Sequence, residues 1–76
     1  MKKGDVVVVE WFDICSRTGW HDIQEARSDY NVTSVGYLLE SDKEAVVITQ
    51  SVAEQIKCAE SLTIHRVNIK KIRKIA

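Results

Sequence analysis

The sequence predicts an all-β fold: a small, strongly bent antiparallel barrel of five strands, with a short helix between the third and fourth strands. Three observations favour this fold. Stretches rich in valine, isoleucine and aromatic residues recur along the chain of 76 residues, and short polar segments separate them. No proline interrupts these stretches. Gly36 lies in the middle of the second stretch, where a small barrel needs a sharp bend or a close backbone approach.

The strands follow from the pattern of apolar and polar side chains. The first begins with a run of valines, and a corner at residues 66–69, whose spacing predicts a single 3₁₀ turn, joins the last two. Residues 41–44, of which three are charged, are expected to form a tight turn that makes the second and third strands a hairpin. The predicted strands are residues 6–14, 32–40, 45–50, 62–65 and 70–75.

Two further segments lie between these strands. Ser51 and Glu54 form a capping-box pattern, which predicts a short helix over residues 51–58, with a long polar loop as the alternative. Residues 15–31 are mostly polar, and we expect an inserted excursion that is packed onto the barrel by Trp20.

The predicted core consists of the side chains that face inward from the strands. Alternation selects Val6, Val8, Phe12, Val35, Leu39, Val47, Leu62, Ile64, Ile69 and Ile72. A single domain of this size, residues 1–76, buries only about 60% of the surface that its unfolded chain exposes. This thin core, together with apolar residues on both faces of the first strand, predicts a homo-oligomer.

The charges of the chain balance, with 11 basic and 11 acidic residues. No overall positive field therefore draws the protein to nucleic acid or to anionic lipid. The longest apolar run, residues 6–9, is far shorter than the roughly 18 residues of a transmembrane helix, and no signal-peptide core follows the first residues. We therefore expect a cytoplasmic protein without a membrane partner.

The basic residues are unevenly distributed. Beyond residue 56 only Glu60 is acidic, against the basic residues Lys57, Arg66, Lys70, Lys71, Arg73 and Lys74. This distribution is typical of a positive binding face, and also of an edge strand that lysines protect from aggregation.

Cysteine and histidine do not form a recognisable site. The spacing of Cys15, His21, Cys58 and His65 matches no metal-ligand pattern, so we expect no metal. In the reducing cytoplasm we also expect no disulfide, and the two cysteines are then small thiols that are buried or half-buried.

No Ser-His-Asp, Cys-His or paired-carboxylate arrangement and no glycine-rich phosphate loop is present in the sequence. The sequence thus predicts a protein that is not an enzyme and holds no cofactor.

The order of five short strands resembles a small barrel of the Sm-like or Src-homology-three-like kind, and two short motifs resemble those of the Sm-like family. The first motif is matched by Gly36, Leu38, Asp42, Ala45, Val47 and Ile48, and the second in part by Ile64, Asn68 and Ile69. His65 and Arg66 resemble the Lys-His pair of the bacterial Sm protein Hfq. Val46 stands where the family has an RNA-contacting asparagine, so the resemblance implies binding with weak sequence preference.

The chain also resembles small uncharacterised proteins of phages and prophages. The shared segments are Glu10-Trp11-Phe12-Asp13, Gly19-Trp20, Val35-Gly36-Tyr37-Leu38 and Ile64-His65-Arg66. This resemblance implies a phage-like origin, with action in the host cytoplasm, and no known activity.

Two hypotheses of function remain open. In the first, a binding module contacts RNA, single-stranded DNA or a nucleotide through the corner between the last two strands. Its candidate ligand-binding residues are His65, Arg66, Asn68, Lys70, Asp42 and Trp20. In the second, the chain is a protein-interaction or assembly module, such as a phage accessory or counter-defence protein that binds a host factor by strand addition.

Overall fold

A computed structural model describes residues 1–14, 20, 23 and 29–76. Within this part, an open antiparallel sheet has the strand order β4-β3-β2-β1-β5. The strands are β1 (Val6–Ile14), β2 (Asp29–Ser41), β3 (Ala45–Ala53), β4 (Lys57–His65) and β5 (Ile69–Lys74), and a 3₁₀ helix at Arg66–Asn68 joins the last two. The predicted all-β class, the five antiparallel strands and the 3₁₀ corner are confirmed.

The core lies on one face of the sheet. Its fully buried apolar side chains are Val7, Val9, Leu38, Val46, Ile48 and Ile64. Trp11, Ile69 and Ile72 pack against this cluster. The indole Nε1 of Trp11 donates a hydrogen bond to Ser34 Oγ at 3.0 Å, so this bond and packing against the core hold the tryptophan in the sheet.

The predicted core face was wrong in the first three strands. Val7 and Val9 are buried, whereas their neighbours Val6 and Val8 are half-buried. The prediction failed here because a run of valines has no polar residue that indicates which face of the strand is inside. In β2 and β3 the buried residues are likewise neighbours of the predicted ones. The exposed fractions of the predicted core residues Phe12, Val35 and Leu62 are 36%, 46% and 36%, whereas Ile64 is buried as predicted.

Gly36 has the role that its position predicts. A Cβ built at this residue would lie 2.8 Å from the carbonyl oxygen of Thr49, which is closer than real side chains approach. The backbones of β2 and β3 therefore come together at Gly36, next to Tyr37, where the pairing of β2 with β1 ends and its pairing with β3 begins. Gln50 Nε2 also donates to Val35 O at 3.0 Å and ties the two strands together beside this point.

The predicted helix over residues 51–58 is wrong. Residues up to Ala53 continue β3, a tight turn follows at Glu54 and Gln55, and Lys57 begins β4. The turn closes with a hydrogen bond from Ile56 N to Ala53 O at 3.1 Å. Strand pairing along the whole hairpin satisfies the backbone groups that the capping box would have satisfied in a helix.

Most of the predicted excursion at residues 15–31 lies outside the described residues. Of its described part, residues 29–31 belong to β2, and Trp20 is fully exposed, so the expectation that Trp20 packs onto the sheet was wrong. Cys58 is a free, exposed thiol, contrary to the expected burial. Cys15 and His21 lie outside the described residues.

Candidate functional site

The corner between β4 and β5 is built around Arg66. Its Nε donates to Asp42 O at 2.9 Å and its Nη2 donates to Ser41 Oγ at 2.6 Å. Its backbone N–H donates to Glu44 O at 2.8 Å. The guanidinium therefore fastens the corner to the β2–β3 turn, and only its remaining donors are available to a ligand.

Asp42 organises the turn that Arg66 grips. Its Oδ1 accepts hydrogen bonds from the backbone N–H groups of Glu44 at 2.8 Å and Ala45 at 2.9 Å. The Ala45 and Glu44 bonds, and more weakly the charge of Arg66, hold the pKa of Asp42 below its usual range. This carboxylate is therefore ionised at neutral pH beside the corner, where it opposes the approach of a phosphate.

The other predicted ligand residues have mixed surroundings. His65 is exposed and Asn68 is half-buried, so the fold brings both to the corner with Arg66. Lys70 Nζ lies 5.0 Å from the centre of the Phe12 ring and donates to Asn31 Oδ1 at 3.4 Å. Trp20 is exposed, and nothing in the described part of the chain links it to the corner.

A second surface covers the outer face of β2, β1 and β5, opposite the core. Val8 pairs with Val35 on one side and with Arg73 on the other, and paired residues point to the same face. Tyr37 continues this face with an exposed fraction of 42%. Exposed apolar side chains of β2 thus share this face with the basic residues of β5, and β1 lies between the two strands.

A third surface was missed by the sequence analysis: the outer half of the β3–β4 hairpin, residues 50–60, which we call the arm. All of its residues are exposed, and within the described sheet its β3 half pairs only with β4, because the pairing of β2 with β3 ends at Thr49. Ile56 at the tip of the arm has an exposed fraction of 77%, and Val52 has 42%. Thr49 Oγ1 fastens the base of the arm by donating to Ala59 O at 2.6 Å.

The arm also carries unusual backbone conformations. Glu54, Gln55 and Glu60 have φ values of 52°, 64° and 60°, and they are the non-glycine residues with positive φ in the described part of the chain. Positive φ at both Glu54 and Gln55 is the geometry of a type I′ hairpin turn, for which glycine and asparagine are the preferred residues. The sequence has neither residue there, and this explains why the hairpin was not predicted.

A cleft of about 670 Å³ lies between the tip of the arm and the N-terminal turn. Its lining residues are Lys3, Gly4, Tyr37, Leu38, Leu39, Glu40, Val47, Val52, Gln55, Ile56, Lys57 and Cys58. The lining contains apolar side chains and three charged residues, Lys3, Glu40 and Lys57. The cleft can therefore receive an apolar group.

Asp5 holds the N-terminal wall of this cleft in place. Its carboxylate accepts a hydrogen bond from Lys2 N at 2.8 Å and lies 3.7 Å from Lys74 Nζ. Gly4 N donates to Leu38 O at 2.8 Å, which fixes the wall to β2. The Lys2 bond, and more weakly the charge of Lys74, hold the pKa of Asp5 below its usual range despite its burial.

Other kinds of site find no support in the described residues. No group of three or more potential metal ligands occurs among them. No helix in the described ranges is long and apolar enough to cross a membrane.

A scan against protein-family models, a search of curated proteins and a search of solved structures each find no match to this chain.

Proposed function

We propose that this chain is a non-enzymatic protein-interaction module and that the arm is its contact element. The observation that carries the proposal is the combination, in one element, of exposure at every residue, an apolar tip and a strained backbone. Strain of this kind concentrates at functional sites, where a partner or a ligand makes use of the geometry that it maintains.

The energetics of the arm favour a partner. An isolated two-stranded hairpin is at best marginally stable in water, and each non-glycine residue at positive φ costs on the order of 1 kcal/mol. The arm has no described side chain packed over Ile56 to offset this cost. Covering Ile56 would contribute roughly 1.5–3 kcal/mol, which is comparable with the strain of the turn.

The two edges of the sheet support the same proposal. At the β5 edge, two basic residues follow each of the two isoleucines, and lysines on an edge strand are a common protection against strand addition. The β4 edge has fewer charges. In an antiparallel pair, hydrogen-bonded residues alternate with residues whose backbone groups point away from the partner strand. Because Arg66 N donates to Glu44 O, Thr63 and Ser61 are of the second kind, and their backbone groups point away from β3. An extended segment of a partner could therefore continue the sheet at β4.

The proposal includes the predicted barrel. The strand order, with β5 returning to β1 after a 3₁₀ corner, is compatible with a sheet that curls into a small barrel of the Sm-like or Src-homology-three-like kind. A phage origin and a host protein as partner remain predictions that rest on the sequence resemblance.

Capture from a bacterial lysate tests the proposed function. The tagged chain, its Ile56→Asp variant and a Val67→Asp control are compared by quantitative mass spectrometry. Val67 has an exposed fraction of 90% and lies in the 3₁₀ helix, away from the arm. We expect proteins captured by the wild type and the control to be lost with Ile56→Asp; identical sets for all three would refute the role of the arm.

Nucleic-acid binding is a second candidate function, favoured by the outer face of the sheet. Tyr37 and Val35 are exposed there, and Lys71 and Arg73 extend the same face on β5. An exposed aromatic ring on the same face as basic side chains is the usual surface for single-stranded nucleic acid. Since two donors of Arg66 are already used within the chain, this geometry favours Arg73 as the principal phosphate contact.

Fluorescence anisotropy with a labelled single-stranded RNA at low salt tests this second candidate. Arg73→Ala should weaken binding by roughly 1–3 kcal/mol, the loss expected for a charge-assisted contact, and Arg66→Ala should weaken it less. A larger effect of Arg66→Ala at a temperature where both variants are folded would instead favour the corner predicted from the sequence. Absence of binding at low salt would reject both nucleic-acid surfaces.

A further inference from the structure

The outer face of the sheet, opposite the core, has an acidic residue at its centre. Val9 and Trp11 pack toward the core, and successive side chains of a strand alternate, so Glu10 lies on the outer face. Glu10 pairs with Thr33 of β2 on one side and with Lys71 of β5 on the other. The exposed basic side chains of β5 on this face, which we call the basic border, are Lys70, Lys71 and Arg73. A carboxylate therefore lies in the middle of a surface whose border attracts a polyanion.

We infer that Glu10 recognises the edge of a base in a single-stranded nucleic acid, and that this base is guanine. The inference rests on the second candidate function, because it names the ligand of the same face. A carboxylate accepts hydrogen bonds and donates none, so it repels a phosphate and requires donors in the group that lies over it. The Watson–Crick edge of guanine presents two adjacent donors, N1–H and the N2 amino group. These match the two carboxylate oxygens as the guanidinium of an arginine does.

The other bases fit a carboxylate less well. On their Watson–Crick edges, adenine and cytosine each place an amino donor beside a ring-nitrogen acceptor, and uracil has a single N3–H between two carbonyl oxygens. Each of them therefore offers Glu10 one hydrogen bond and brings an acceptor close to its second oxygen. A bidentate contact between a side chain and one base discriminates by about 5- to 150-fold, and we expect the lower end of this range at a half-buried residue such as Glu10.

The surroundings of Glu10 suit the rest of a nucleotide. Val8 and Phe12 lie two residues to either side of it on β1, and Phe12 has an exposed fraction of 36% although Lys70 Nζ lies 5.0 Å from the centre of its ring. A base whose edge points at Glu10 can therefore place its two faces against these apolar side chains. Neighbouring strands are about 4.8 Å apart, so the phosphate of the same nucleotide lies within reach of the basic border.

Fluorescence anisotropy at low salt with labelled RNA pentamers tests the inference. The pentamers are oligouridines that differ only at the central position, which is guanosine, inosine or uridine. Inosine keeps N1–H and lacks the N2 amino group, so it can make only one of the two hydrogen bonds. We expect the wild type to bind the guanosine pentamer at least about fivefold more tightly than either of the others.

Glu10→Ala should change the affinities in opposite directions. The preference for guanosine over inosine should disappear, because the acceptor of the N2 amino group is gone. Binding of the uridine pentamer should become tighter, because a charge that repels its phosphates is removed. Glu44→Ala, which removes one negative charge from the exposed β2–β3 turn, is the control and should preserve the guanosine preference. Circular dichroism should give both variants the spectrum of the wild type, since both side chains lie outside the core.

Two results would overturn the inference and leave the second candidate function standing. Equal affinities of the wild type for the guanosine and inosine pentamers would show that the N2 amino group is not recognised. A guanosine preference that persists in Glu10→Ala, with all three affinities raised alike, would show that Glu10 acts only as a charge on this face. If the wild type bound none of the pentamers at low salt, the inference and the second candidate function would both be rejected.

Discussion

Replacing Gly36 with alanine tests the close approach of β2 and β3 on which the position of the arm depends. The new methyl group would lie 2.8 Å from Thr49 O and 3.4 Å from Ile48 Cβ, so the two strands must separate by several tenths of an ångström. Overpacking of this kind costs about 1–3 kcal/mol, and the loss of glycine freedom in the unfolded chain offsets about 0.4–1 kcal/mol of it. We therefore expect a net destabilisation of roughly 1–2 kcal/mol.

Thermal unfolding followed by circular dichroism measures this effect. In a domain of this size, 1 kcal/mol lowers Tm by about 4–8 °C, so Gly36→Ala should melt roughly 5–15 °C below the wild type. Thr33→Ala, at an exposed position of the same strand, is the control and should change Tm little. An unchanged Tm for Gly36→Ala would refute the close approach of the two backbones.

Three further predictions concern stability. Ile48→Ala should cost about 2–5 kcal/mol and Ile75→Ala much less, since the first side chain is buried and the second is about half exposed; equal denaturation midpoints would contradict the assigned core face. Arg66→Ala should destabilise the fold by about 1 kcal/mol in urea unfolding through its lost bonds to the β2–β3 turn, and an unchanged midpoint would show that these bonds contribute nothing. Because the pKa of Asp5 is lower in the folded chain than in the unfolded one, its contribution is complete above about pH 4 and is lost as pH falls through the folded value. Asp5→Asn should therefore lose less stability on acidification than the wild type, and parallel pH profiles would contradict this role.

The strands were predictable because they are rich in β-branched and aromatic residues. Which face of each strand packs into the core was not predictable from composition. The alternation in residues 62–65 is clear, and Ile64 is buried as predicted. In β1, consecutive valines fit either face, and only pairing with the rest of the sheet makes Val7 and Val9 the inward residues. A shift of one residue moves every side chain of a strand to the other face, so an error at this step affects the whole predicted core.

The arm could not be predicted because two local signals opposed it. Ser51 and Glu54 have the spacing of a helix start, and the turn at Glu54 and Gln55 lacks glycine and asparagine. Cross-strand pairing, from Ser51 with Ala59 to Ala53 with Lys57, overrides both signals. The continuation of strand-forming residues into Val52 was the evidence in the sequence that could have indicated a longer hairpin.

The predicted corner was located correctly in the chain, and its chemistry depends on contacts between distant segments. The spacing of apolar residues indicated a 3₁₀ turn, which the structure has at Arg66–Asn68. The hydrogen bonds of Arg66 to Ser41 and Asp42 join residues that are 25 and 24 positions away, and no local pattern indicates such bonds. The sequence therefore predicted a ligand-binding role for Arg66 and not its structural role of fastening the corner to the β2–β3 turn.

Hydrogen exchange of the arm amides, measured by mass spectrometry with and without the proteins captured from the lysate, tests most directly whether the arm is the contact element. The residues of the arm are exposed and its hairpin is marginal, so its amides should exchange fast in the free chain. We expect exchange in residues 50–60 to slow when the captured proteins are added, with no such change in Ile56→Asp. Exchange in the arm that the captured proteins do not change, or protection that develops only in β1 and β5, would contradict the arm as the contact element.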